Sequence, residues 1–304
     1  MLVQGYRPSK LGLFPTTPEP RQTRCVTSQP WWLDPESAWW AKADRAQQHI
    51  SALSAQAEDF LTRGSYTVVP EAGDRPGKTV YRIWMSRPIP VSFSTILGDA
   101  LHNLRSALDC AALGIARQYV GRDLNEIEER ACRFPIYGEP EKLDEFFANA
   151  SRAHLFGASE QQAIRAVQPG WLYDYLAKEG HADLPDRSEE VRYDPLTLLQ
   201  QLSNIDKHRR LHVVTCWPGL VYWGSDDPSK RTWRWGSPPF VDGAILGYLI
   251  DDPEHPEPLP DLHQDMELRL LGPPAAADTE VVGLLSNMHR QITSHVLPKV
   301  LNPV

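Results

Sequence analysis

The chain is poor in cysteine, with four in 304 residues: Cys25, Cys110, Cys132 and Cys216. They are widely spaced and form no CxxC pair, which argues against a structural zinc site and fits a reducing compartment. Long apolar runs are missing as well, and none approaches the roughly 18 residues that span a bilayer. The opening MLVQGYRPSK lacks the apolar core of a signal peptide. A cytoplasmic protein with no membrane partner is the expectation. There is no basic surplus, since 31 Lys and Arg stand against 39 Asp and Glu, a net charge of -8. General nucleic-acid binders carry the opposite balance, because phosphate contacts supply their affinity. An RNA site on this chain therefore has to be a local basic patch on an acidic body.

Several signatures are also lacking. The sequence holds no GxGxxG, no GxxxxGK[ST], no GxSxG and no HExxH, so dinucleotide binding, P-loop chemistry and a serine nucleophile elbow have no support. No cofactor is expected. His208 and His212 are four apart, a spacing that suits zinc on a helix, but Leu211 onward reads as a strand and separates them. His255 and His263 lie in the acidic, proline-rich stretch 251–267, where a loop makes a poor cage. No metal site is expected.

What the chain does have is an ordinary globular composition, 41 % hydrophobic and 23 % charged, and ten Trp residues. Four of these fall in WWLDPESAWW and two in KRTWRWG. Packing is the plain reading of them and base stacking the sharper one.

Residues 1–33 read as an extended, proline-rich arm. Asp34-Pro35 starts a long amphipathic helix to about Arg63 with Ala43, Ala46, Ile50, Leu53, Ala57 and Phe60 on one stripe. Residues 66–69 and 79–84 form a hairpin signal. A central helix runs from about Phe93 to Gln118, short helices are expected near 139–149 and 159–167, and Asp194-Pro195 starts another helix ending near Arg210. Strands are expected at 211–216, 220–223, 244–250 and 266–271, then a closing helix over 278–296. The domain reading is an arm over 1–33, a mainly helical core over 34–210 with a hairpin at 65–86, and strands plus a closing helix over 211–304. The fold class is α+β.

At about 100° per residue, Leu97, Leu101, Leu104, Leu108 and Ile115 share one sector of the central helix, and His102, Arg105 and Asp109 fall together beside it. Ionisable groups in that half-buried sector need partners. Leu198, Leu202, Ile205 and Arg209 form one face of the later helix, with Asp206 next to Arg209. The expectation is that the two helices pack with Arg105 facing Asp206 and Asp109 facing Arg209. Lys207, His208 and Arg210 also suit the negative end of a helix dipole.

The stretch from Leu97 to Asp109, with Phe134-Pro135-Ile136, Ala163-Ile164, Gln168-Pro169 and Asn204 to Arg209, resembles a family of uncharacterised actinobacterial proteins. The central helix is also similar to the motif helix of HEPN domains, helical bundles that often act as metal-independent ribonucleases. Their motif is Arg, four to six residues, then His. Arg105 matches the Arg, and Cys110 stands where the motif places His. The resemblance implies a HEPN-like helical bundle, here with an N-terminal β-hairpin and a C-terminal antiparallel sheet. It also implies a homodimer acting on RNA. Arg105 and Arg209 would then stabilise phosphorane charge, and His102 or His208 would act as general acid and base, with Asp109 and Asp206 in the same site. Asn103, Asn204 and Lys207 are candidate substrate contacts. Two alternatives stay open. One is a non-catalytic binding or structural protein whose cluster is a buried salt-bridge network or holds a small anion. The other is a small-molecule enzyme with a pocket at the cluster.

Overall fold

A computed structural model describes residues 35–181, 184, 186–208, 213–222, 231–237, 240–251, 263–271, 274–277 and 279–302. The proline-rich arm, Arg209, His212 and most of the acidic stretch 251–267 lie outside the described residues.

Two long helices make the spine, α1 (Pro35–Thr62) and α2 (Val91–Val120). Small residues line their contact: Ala43, Ala46 and Ala57 on α1, Ala100, Ala107 and Ala111 on α2, all buried. Short side chains let the two backbones approach closely. Between them the chain makes a hairpin, β1 (Tyr66–Ala72) and β2 (Lys78–Met85), paired antiparallel. Its turn is closed by Gly73 N donating to Lys78 O at 2.8 Å, with Gly77 at φ 75°, a left-handed conformation that glycine adopts without strain.

After α2 come five shorter helices, α3 (Glu126–Ala131), α4 (Pro140–Ala148), α5 (Ala158–Arg165), α6 (Trp171–Lys178) and α7 (Arg187–Tyr193). The expected helices near 139–149 and 159–167 are α4 and α5. Helix α8 (Pro195–His208) follows, then β3 (Val213–Tyr222), β4 (Arg231–Trp235), β5 (Ile245–Asp251), β6 (His263–Leu271), α9 (Val281–Gln291) and α10 (Leu297–Leu301). The architecture is α+β, as the periodicities indicate.

The strands differ from expectation in three respects. The N-terminal hairpin is not separate from the later strands: one sheet runs β1-β2-β5-β4, and β3 pairs with β6 in a second, two-stranded sheet. The two strands expected around residue 217 are one, β3, whose register shifts between Pro218 and Leu220, the mark of a bulge. Arg231–Trp235 is a strand on the edge of the larger sheet, an element the sequence pattern does not predict. The closing helix starts at Val281, with Glu280 accepting from the amides of Val282 and Gly283. A π-helical turn, Ile292–Val296, interrupts it.

One large apolar core joins α1, α2, α8, α9 and α10 with the 134–167 segment. A smaller cluster of Tyr81, Phe240, Leu246 and Leu249 sits on the four-stranded sheet. No helix among the described residues is long and apolar enough to cross a membrane.

Candidate functional site

Arg105 lies on the flank of α2 and is 8 % exposed. Its guanidinium makes four hydrogen bonds. Nε donates to Asp109 Oδ2 at 3.3 Å, Nη1 to Gln200 Oε1 at 2.8 Å, and Nη2 both to Asp109 Oδ1 at 3.0 Å and to Phe134 O at 2.6 Å. Asp109 Oδ1 in turn accepts from Phe134 N at 3.0 Å. Both backbone groups of Phe134 are therefore satisfied by side chains of α2, as a neighbouring strand would satisfy them. Gln168 does the same on the far side of this segment: its Oε1 accepts from Tyr137 N at 2.9 Å, and its Nε2 donates to Pro135 O at 3.1 Å. The extended piece Phe134–Tyr137 is thus strung between α2 and the end of α5.

The expected partner of Arg105 needs correction. Gln200, not Asp206, meets Arg105. Asp206 lies against Gly98, where an added Cβ would stand 2.8 Å from Asp206 Oδ1. Gly98 opposite Asp206 and Arg105 opposite Gln200 mean that α2 and α8 run antiparallel. The expected pair of Arg105 with Asp206 is therefore not formed, and the expected pair of Asp109 with Arg209 falls on a residue outside the described ones. Arg209 lies outside the described residues, as do the side chains of Lys207 and His208, so α8 contributes Gln200 and Asp206 to the described site.

The remaining candidates point elsewhere. Asn103 is buried and its Nδ2 donates to Asp99 O at 2.8 Å, a helix-internal bond. Asn204 is exposed. His102 is exposed, with its Nε2 3.5 Å from Ser106 Oγ. Cys110, at the motif-His position, is half-buried beside Lys42 of α1, and burial pushes its thiol up. Arg105 and Cys110 therefore serve different faces of α2. Cys132 is buried too, its thiol pushed up to about 12 by desolvation, with Asp109 adding to the effect. Neither thiol is activated as a nucleophile.

Sequence reasoning missed Gln200 and Gln168 as members of the network. It also missed His49 on α1, which lies near both Arg45 and Asp99; burial, then Arg45, lowers its imidazole, against the pull of Asp99. Among the described residues no group of three or more His, Cys, Asp or Glu is arranged to hold a metal ion.

Gly98 gives a direct check of the register. Gly98→Ala is expected to push the flexible Asp206 carboxyl aside with a loss under about 1 kcal/mol, whereas Gly98→Leu forces α2 and α8 apart and is expected to lose about 1–3 kcal/mol in urea unfolding. Equal losses would contradict the placement of Asp206.

No family model matches the chain, and no curated protein or solved structure matches it.

Proposed function

We propose that this chain is a non-catalytic, cytoplasmic binding protein, and that the Arg105 cluster is the frame that holds its helices in register. The observation that carries this reading is the guanidinium of Arg105, which is buried and bonded to Asp109, Gln200 and Phe134 O. An arginine that clamps a phosphorane needs donors aimed at the substrate. Here the donors are aimed at the protein. Buried ionic groups fixing register are a known use of such networks.

Metal-independent RNA cleavage by a HEPN-like homodimer is the second reading. The observation favouring it is His102, exposed on α2 with the Ser106 hydroxyl against it, a place where an imidazole can exchange protons with a substrate. His208 of α8 is its other candidate base.

The two readings separate in one assay: total RNA incubated with the parent protein and with His102→Ala, His208→Ala and Arg105→Lys variants. The binding reading expects intact RNA throughout. Cleavage by the parent that His102→Ala or His208→Ala removes, with the fold intact by circular dichroism, overturns it and establishes the second reading. A two-fold rise in mass by light scattering would be expected for the homodimer.

A further inference from the structure

Helix α6 carries Trp171, Leu172, Tyr173, Tyr175 and Leu176, yet buries none of them. At about 100° per residue Trp171, Tyr175 and Leu172 follow one another across one sector of it, and Asp174 falls outside that sector. The Trp171 and Tyr175 rings stack, with centroids 5.5 Å apart and planes 18° apart. Tyr175 is 47 % exposed and Leu172 43 %. The sector is thus an apolar strip that runs outward from Trp171.

At its Trp171 end the closing helix brings up two nitrogen bases. Lys299 of α10 holds its Nζ 3.9 Å from the centroid of the Trp171 ring and donates to Ala166 O, at the end of α5, over 3.4 Å. His295, inside the π-helical turn, has its ring centroid 5.9 Å from that of Trp171. Both side chains are half-buried. A π face and one long bond to a carbonyl are weak partners for a half-buried ammonium with three N–H donors. Among the described residues neither Lys299 nor His295 is paired with a carboxylate. The carboxylate of α6, Asp174, is taken through both oxygens by Arg187, at 2.7 and 2.9 Å. Other half-buried cations do find a carboxylate, such as Lys78 with Asp74, Arg82 with Glu71 and Arg187 with Asp174. Burial accordingly lowers the Lys299 ammonium, and burial followed by Lys299 lowers the His295 imidazole, with no carboxylate acting against either. A desolvated cation held this weakly is a group for which an anion is the natural partner.

We propose that Lys299 and His295 seat the carboxylate of an amphipathic organic acid, whose apolar body lies along Tyr175 and Leu172. A carboxylate accepts from two adjacent donors at once. One ammonium balances a single negative charge, and the strip beyond it covers an apolar body, so a carboxylate suits the site better than a phosphate. The site is built on α6 and the closing helix, apart from the Arg105 network. It supplies a ligand class for the binding reading above, but RNA cleavage tests that reading and carboxylate binding tests this site, so either can fail without the other.

The test is a titration at constant ionic strength, followed through the histidine ring signals in ¹H–¹³C spectra, with phenylacetate, acetate and the uncharged phenylacetamide as probes. Phenylacetate is expected to give a saturable shift of His295 with His49 and His154 unmoved, acetate to bind roughly tenfold more weakly, and phenylacetamide to give no saturable shift. Lys299→Gln is expected to weaken phenylacetate roughly tenfold or more, and Lys299→Arg, which keeps the charge, to retain binding. Tyr175→Ala, at an exposed position with Lys299 intact, is expected to remove the advantage of phenylacetate over acetate. Lys178→Gln, which removes an exposed cation from the end of α6, is expected to change nothing. The urea midpoint of Lys299→Gln is measured alongside, because Lys299 also bonds Ala166 O. No saturable shift of His295 with phenylacetate, phenylacetamide binding as tightly as phenylacetate, or the parent's affinity in a folded Lys299→Gln variant overturns the inference.

Discussion

Replacing Arg105 with alanine is expected to lower the unfolding free energy by about 3 kcal/mol, measured by urea denaturation. The side chain is buried and its removal takes a donor from several groups at once: the Asp109 carboxylate, the Gln200 amide and the Phe134 carbonyl. Asp109 keeps its bond from Phe134 N and is 37 % exposed at its side chain, so water recovers part of its solvation and the loss falls at the lower end for a broken buried pair. A double replacement, Arg105→Met with Asp109→Leu, removes both charges together and is expected to recover much of the loss, because an uncompensated charge costs more than an absent pair. If Arg105→Ala unfolds at the parent's midpoint, the cluster is not the frame of the α2–α8 contact.

The second large effect is expected at Asp194, which caps the start of α8. Its carboxylate accepts from Leu196 N at 2.8 Å and from the Thr197 amide. Burial is the main influence on it and raises the carboxyl to about 6, with the Glu190 carboxylate of α7 adding to the rise; the two amides and the Gln291 side chain of α9 oppose it. The folded chain therefore takes up this proton more readily than the unfolded chain does. The penalty is absent below the ordinary carboxyl range, grows as pH rises from about 4 to 6, and is complete above that. Asn keeps the capping oxygen and has no charge to desolvate. Asp194→Asn is thus expected to raise stability by about 1–2 kcal/mol at pH 7.5 and to change it little at pH 4. Glu128 works in the opposite sense. Arg122 first, then Asn125 N and His154, hold its carboxyl well below the ordinary range, so its contribution is lost as pH falls. The difference between Asp194→Asn and the parent isolates one group from the other. A variant less stable than the parent at pH 7.5 would show that the negative charge favours the cap more than burial opposes it.

Much of the helical frame was legible because its signal is local. The stripe of Ala43, Ala46, Ile50, Leu53, Ala57 and Phe60 is buried on α1 as its spacing requires, and the core sector of α2 is buried from Leu97 to Ile115. The polar flank was legible as a flank, since Arg105 and Asp109 do sit together at i, i+4. Its partner was not. Arg105 and Gln200 are 95 residues apart, and nothing in the period of either helix records their relative direction. Matching charge to charge pointed to Asp206, but antiparallel packing delivers a neutral amide, whose oxygen can also accept from a guanidinium, though more weakly than a carboxylate. The edge strand Arg231–Trp235 was hidden for a related reason. Its five residues alternate bulky and polar side chains too briefly to separate from a packing motif, and its identity as a strand comes from pairing with β5.

The β1-β2-β5-β4 order has a consequence for a chain emerging from a ribosome. Arg82 of β2 reaches Gly243 across 161 residues of sequence. At 5–20 residues per second, the inner edge of the N-terminal hairpin waits some ten to thirty seconds for β5 to be made. During that interval Tyr81 and Ile83, both fully buried in the finished protein, have no covering strand. The newborn chain thus carries an open, aromatic-rich edge for an interval that the helical spine does not share, since the two halves of the spine are already made when α2 ends at Val120.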